Sequence, residues 1–216
     1  ASGAVVRAIP GPYCGSRSIA DRMNNWAQSE GAPGMGYIIF GEDTAKGPIA
    51  NALGISTSLE MKDLFNLKDG DALFFSCAIE NEAALLAGKA RVKIATDREL
   101  IEQDAFKFCW IVDYPMYEKD KKTGKIEFSH NPFSMPQGGM ETLMNKDPLE
   151  VLAFQYDLVC NGIELSSGAI RNHVPEIMYK ALEIAGHNPE VVDNKFPGMI
   201  KAFKFGAPPH GGIAPG

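Results

Sequence analysis

The sequence predicts an α+β fold, and three observations carry that prediction. Asn161-Gly162 stands between two runs of alternating apolar and polar residues, a hairpin signature because both loop residues must take positive φ. Residues 106–117 are dense in aromatic and β-branched types, the composition of a buried strand. Over the first hundred residues, strand-like runs alternate with segments of helical spacing, as in one compact domain.

Taken in order, residues 4–9 read as a strand, broken by Pro10-Gly11-Pro12. Ser18 is placed to cap a helix whose apolar positions are Ile19, Met23, Trp26 and Ala27, stopped by Gly31. Residues 37–40 form a short strand between glycines, and 48–53 and 59–65 read as short helices, the second capped by Ser58. Asp69-Gly70 turns the chain into a strand at 73–79, and Glu80 or Asn81 opens a long helix through Ala83, Leu86, Ala90 and Ile94. This half shows no recognisable chemistry of its own.

In the second half the strand at 106–117 ends at Pro115. A charged tip at 119–125 returns through 126–128, His130 follows, and 135–147 reads as a long loop of the kind that covers sites. Pro175 starts a helix stopped by Gly186, Asn188-Pro189 starts another, and Pro197-Gly198 resets the chain. Residues 208–212 are expected to form a rigid turn. The helices are expected to pack on the apolar face of the central hairpin.

A two-residue loop pairs Cys160 with Ile163, Val159 with Glu164, Leu158 with Leu165 and Asp157 with Ser166. One face then carries Phe154, Tyr156, Leu158, Cys160, Ile163 and Leu165, the other Gln155, Asp157, Glu164 and Ser166. Asp157 and Glu164 become diagonal neighbours, close enough to share a hard cation. Arg171 lies an odd seven residues after Glu164, on the opposite face of an unbroken strand. A one-residue bulge within Ser166-Ser167-Gly168 would return it to the acidic wall. The competing reading of this spacing is a solvated face with a surface ion pair.

Composition bounds the function. With 45% hydrophobic and 22% charged residues over 216 positions, the chain reads as soluble and globular, of one or two domains. A net charge of −6 and pI near 5.3 give no bulk footprint for nucleic acid, and residues 1–104 hold 10 basic against 14 acidic groups. Any RNA contact must be local. Cys14, Cys77, Cys109 and Cys160 are too dispersed for a zinc site or a disulfide framework. Neither a signal segment nor an apolar run near the ~18 residues of a membrane span is present, so a cytoplasmic location is expected. The sequence opens without methionine and stops at Pro215-Gly216 with no closing element, which reads as a piece of a longer chain.

Three segments carry a family resemblance. Glu-Leu-Ser-Ser-Gly-Ala-Ile-Arg at 164–171 resembles the Glu-x-Gly-Gly-Gly-x-x-Arg strand of bacterial-type aspartyl-tRNA synthetases, with serines at Ser166 and Ser167 where glycines are usual. Phe-Ser-His-Asn-Pro-Phe-Ser at 128–134 and Phe-Gly-Ala-Pro-Pro-His-Gly-Gly-Ile-Ala-Pro-Gly at 205–216 agree with it. The resemblance implies a GAD-like inserted α/β domain at 1–102. It implies part of a class II catalytic domain at 103–216, an antiparallel sheet with flanking helices. It further implies that His130 and Arg171 contact L-aspartate and that Glu164 and Gly216 contact ATP, while Asp157 and Glu164, as paired carboxylates, suit Mg2+ held against the ATP phosphates. Asn131 stands where many members have a second histidine.

The parent enzyme would form aspartyl-adenylate and charge tRNA(Asp), with tRNA(Asn) left open, as a homodimer off the membrane. The family also uses an upstream arginine, an arginine just after Gly216 and an anticodon-binding barrel, none of which this sequence contains, so the 216 residues alone are expected to be inactive. The alternative reading is a non-catalytic tRNA-binding or scaffold module, related to the GAD domain of the tRNA-dependent amidotransferases.

Overall fold

In the computed structural model, which describes residues 3–216, the chain divides into two units, one ending at Gln103 and the other starting at Asp104. The first is a mixed unit built on a strand that is apolar on both sides. That strand, β4 (Ala72–Ile79), lies inside an antiparallel sheet ordered β1-β4-β2-β3, with β1 (Ala4–Gly11), β2 (Gly36–Phe40) and β3 (Ala45–Lys46). Because successive side chains face opposite ways, Ala72 and Phe74 pack with Ala20, Met23 and Ala27 of α1 (Arg17–Ser29) and Ala90 and Ile94 of α4 (Glu80–Asp97). Leu73 packs the other way with Ile38, Phe40 and Ala50, beside α2 (Pro48–Leu53) and α3 (Ile55–Leu64).

Several local expectations change here. β1 continues through Pro10, which pairs with Leu73, because an edge strand can point an absent amide outward. Ser16, not Ser18, caps α1, accepting from the Ile19 amide at 3.3 Å. α3 begins at Ile55, after Gly54 at φ 86. Ser58 is therefore inside that helix and donates to the Gly54 carbonyl at 2.7 Å.

The second unit is a four-stranded antiparallel sheet ordered β10-β9-β8-β5, made of β5 (Phe108–Pro115), β8 (Leu152–Cys160), β9 (Ile163–Ile170) and β10 (Gly211–Pro215). β6 (Tyr117–Lys119) and β7 (Ile126–Phe128) form a separate hairpin. Asn161 and Gly162 have φ of 50 and 82, as a tight turn requires. The Asn161 side chain ties this turn to the Lys107 amide and the Ala105 carbonyl.

Helices α5 (Gly139–Asn145), α6 (Pro175–Ile184), α7 (Pro189–Lys195) and α8 (Pro197–Lys204) complete the unit. α5 occupies the stretch read as a loop; Gly138 and Gly139, at φ 79 and 62, turn the chain so that a helix can start. The helices do not cover the apolar hairpin face. Val151 and Ala153 bury with Met116, Tyr117, Leu143 and Ala181, so α5 and α6 meet the opposite face, where small side chains let a helix approach. Phe108, Trp110, Val112, Phe154 and Ile213 stay exposed, and β5 is consequently not the buried strand its composition implies. Gly211 and Gly212 belong to a strand rather than a turn. No helix among the described residues is long and apolar enough to cross a membrane.

Candidate active site

Two register shifts, one on each side of β8, build the site. On the β9 side, Cys160 pairs with Ile163 and Val159 with Glu164, but Leu158 pairs with Ser166 and Asp157 with Ser167. Leu165 is the extra residue, so the break falls ahead of the serine-glycine segment instead of within it. The reason lies in the neighbouring strand: β10 pairs residues 211–215 with 166–170 without interruption, leaving no room for a bulge there. The break still inverts the alternation between Glu164 and Arg171. Ser166 is thereby turned to the apolar side, its buried Oγ without a hydrogen bond, and Ser167 takes its place on the polar wall.

On the β5 side, Val112 pairs with Tyr156 but Tyr114 with Ala153, and Asp113 sits at the shift with φ 59. Gln137 holds that aspartate at 2.7 Å. Unbroken alternation would place Tyr114 with Trp110 on the apolar face. The shift delivers it to the carboxylates.

The result is a cavity of 510 Å3 lined by His130, Asp157, Glu164 and Arg171 together with Tyr114 and Gln155. A larger hollow of 750 Å3 in the first unit has no carboxylate in its lining, so size alone does not locate the chemistry. The three segments that carry the family resemblance meet here. Arg171 donates its amide to the His210 carbonyl at 2.8 Å and bridges to Ser134, and the Asn172 amide reaches the Phe133 carbonyl at 2.8 Å. Gln155 donates to the Asn131 carbonyl at 3.2 Å, and the Asn131 side chain accepts from the Phe133 amide at 2.9 Å. His130 stacks at a tilt on Tyr114, ring centroids 5.0 Å apart. Gly216 lies outside the lining, its amide donating to the Leu165 carbonyl at 3.1 Å beside the bulge.

Along β9, seven residues at about 3.3 Å each put Glu164 and Arg171 roughly 20 Å apart. The cavity therefore has two ends: an acidic one at Asp157 and Glu164, and a basic one at Arg171, with Gln155 between Asp157 and that end. The acidic end could hold a hard cation. Two carboxylates are a donor set that Mg2+ can take, because it keeps several waters and shares ligands with a substrate phosphate.

Tyr114 is the site residue that sequence reasoning misses. Its hydroxyl donates to the Asp157 carboxylate. Burial, then that hydrogen bond and the charges of Asp157 and Glu164, push its pKa up to about 12. The phenol thus stays a donor and fixes one Asp157 oxygen. Because the folded-state value lies above the unfolded one of about 10, this contribution to stability is complete below pH ~10 and is lost as pH rises through ~12. A spectrophotometric tyrosine titration should show Tyr114 ionising late. In Asp157→Asn it should ionise earlier yet still above 10, since burial is the largest cause; an unchanged titration would contradict the contact.

This fold and this wall of acids and a guanidinium coincide with a sequence match to the tRNA synthetases class II (D, K and N) over residues 22–216, and the chain belongs to that family. The aspartate–tRNA(Asp/Asn) ligase of Gluconobacter oxydans is 56% identical over 218 residues, covering 100% of this chain and 36% of the relative. That of Paramagnetospirillum magneticum is 59% identical over 216 residues, covering 99% and 25%. That of Rickettsia bellii is 58% identical over 221 residues, covering 99% and 37%. The chain spans between 25% and 37% of the length of these relatives.

Proposed function

We propose that this chain carries part of the amino-acid and nucleotide site of an aspartate–tRNA ligase, which activates L-aspartate with ATP and transfers it to tRNA(Asp) and tRNA(Asn). The observation that carries the reading is the shared cavity of Asp157, Glu164 and Arg171. Adenylate formation brings together two anions, a carboxylate and the α-phosphate of ATP, so the site must supply compensating positive charge. Arg171 holds the side-chain carboxylate of aspartate, because a planar guanidinium binds it through two parallel charge-assisted bonds. His130 contacts the same substrate. Asp157 and Glu164 would hold Mg2+, which when bound neutralises phosphate charge. Gly216 contacts ATP through its backbone, and Tyr114 positions Asp157.

The first unit is a GAD-like insertion, and the whole protein works as a cytoplasmic homodimer. The 216 residues alone neither form aspartyl-adenylate nor charge tRNA. With the flanking sequence restored, Asp157→Asn and Glu164→Gln should each raise the Mg2+ concentration for half-maximal ATP–pyrophosphate exchange by about 10- to 100-fold. An unchanged Mg2+ requirement would show that these two carboxylates do not hold the metal, and absence of exchange in the parent protein itself would favour the non-catalytic tRNA-binding module.

A further inference from the structure

In the first unit α1 and α4 face each other across a cavity of 420 Å3, lined by Arg22, Asn25 and Trp26 from α1 and by Lys93, Asp97 and Arg98. Residues three and four apart share a helix face, so Arg22, Asn25 and Trp26 form one stripe, and Lys93 and Asp97 another with Arg98 at its end. Lys93 and Asp97 pair at 2.8 Å and cancel. Arg22 and Arg98 are left as a cationic surplus, in a half of the chain where acids outnumber bases. Arg98 Nε is buried without a hydrogen bond among the described residues, which is costly, and the residue lines the cavity beside Arg22. Arg22 uses one nitrogen on the Ser18 hydroxyl at 3.1 Å. The buried Cys14 also lines the cavity. Burial pushes its thiol up from its ordinary value, so the lining gains no thiolate to offset the arginines at neutral pH. Trp26, partly buried, presents an indole to the same space.

We propose that this cavity binds a nucleotide, its phosphate held by Arg22 and Arg98 and its base stacked on Trp26. Guanidinium forks match phosphate geometry, and aromatic stacking accepts any base. A free mononucleotide and a nucleotide within single-stranded RNA offer the same chemistry. The pocket is independent of the carboxylate site in the second unit.

The test uses the 216-residue chain carrying Trp110→Phe, so that Trp26 is the sole tryptophan and its fluorescence reports on this cavity. Uridine, uridine 5′-monophosphate and hexauridylate are titrated in turn. Saturable quenching by a phosphate-bearing probe and not by uridine is expected, weakened about tenfold or more in Arg22→Ala and in Arg98→Ala. Tighter binding of hexauridylate than of the monophosphate assigns the pocket to an RNA strand; equal binding assigns it to a free nucleotide. Arg22 is exposed, so its variant tests the proposal even if Arg98→Ala, checked by circular dichroism, does not fold. No saturable response to either phosphate probe, an equal response to uridine, or quenching unchanged in Arg22→Ala would overturn it.

Discussion

Arg171→Ala, made in the protein with its flanking sequence restored, is expected to lower kcat/KM for aspartate by about 10^2- to 10^4-fold while ATP binding survives. The magnitude follows from removing one partner of a desolvated charge pair, which costs about 3–5 kcal/mol. Arg171 comes from the segment just past β9, and its backbone is fixed on both sides, by His210 and by Ser134. Its guanidinium is therefore presented from a held backbone, and alanine removes the fork without loosening the strand. Arg171→Lys keeps the charge and loses the paired geometry, so an intermediate activity is expected. Aspartate-dependent exchange measured beside ATP binding separates these outcomes; equal loss of both would mean that the substitution damages the fold.

The second large effect is structural. A Cβ added at Gly168 would run into the Gly212 carbonyl oxygen and the Tyr156 ring. The first obstacle is backbone in a ladder that pairs residues 211–215 with 166–170, so it cannot yield without parting β10 from β9. Gly168→Ala should therefore destabilise the second unit by about 3 kcal/mol, a fall in melting temperature on the order of 10 °C. The neighbouring Ser167 already carries a Cβ, and Ser167→Ala should stay within about 0.5 kcal/mol of the parent. Near-UV circular dichroism melts compare the two, and similar melts would show that β10 accommodates the methyl group. This close approach gives a steric reason for a glycine at position 168, next to Ser166 and Ser167.

What the sequence discloses depends on whether the signal is local. The Asn161-Gly162 corner is legible because two consecutive positive φ angles restrict residue choice severely. That Arg171 reaches the acidic wall only if the strand is broken is legible from parity alone. The position of the break is not, because the constraint comes from β10, more than forty residues later in the chain. Tyr114 is illegible for the same kind of reason: a shift against β8, centred on Asp113, decides its face. The exposure of β5 is not legible, since aromatic and β-branched content marks a strand without deciding whether a helix of this chain covers it. Residues 135–147 read as a loop and 208–212 as a turn because glycine favours both, whereas Gly138-Gly139 launches α5 and Gly211-Gly212 lies in β10.

The central claim is that Arg171 faces the same cavity as Asp157 and Glu164. Paramagnetic broadening by Mn2+, added with ATP to the 15N-labelled 216-residue chain, tests it most directly. Broadening of the Asp157 and Glu164 amides together with the Arg171 Nε–H signal, abolished in the Asp157→Asn, Glu164→Gln double variant, is the predicted result. An Arg171 signal that stays sharp while the two carboxylate residues broaden would show that the guanidinium faces away, and would contradict the account.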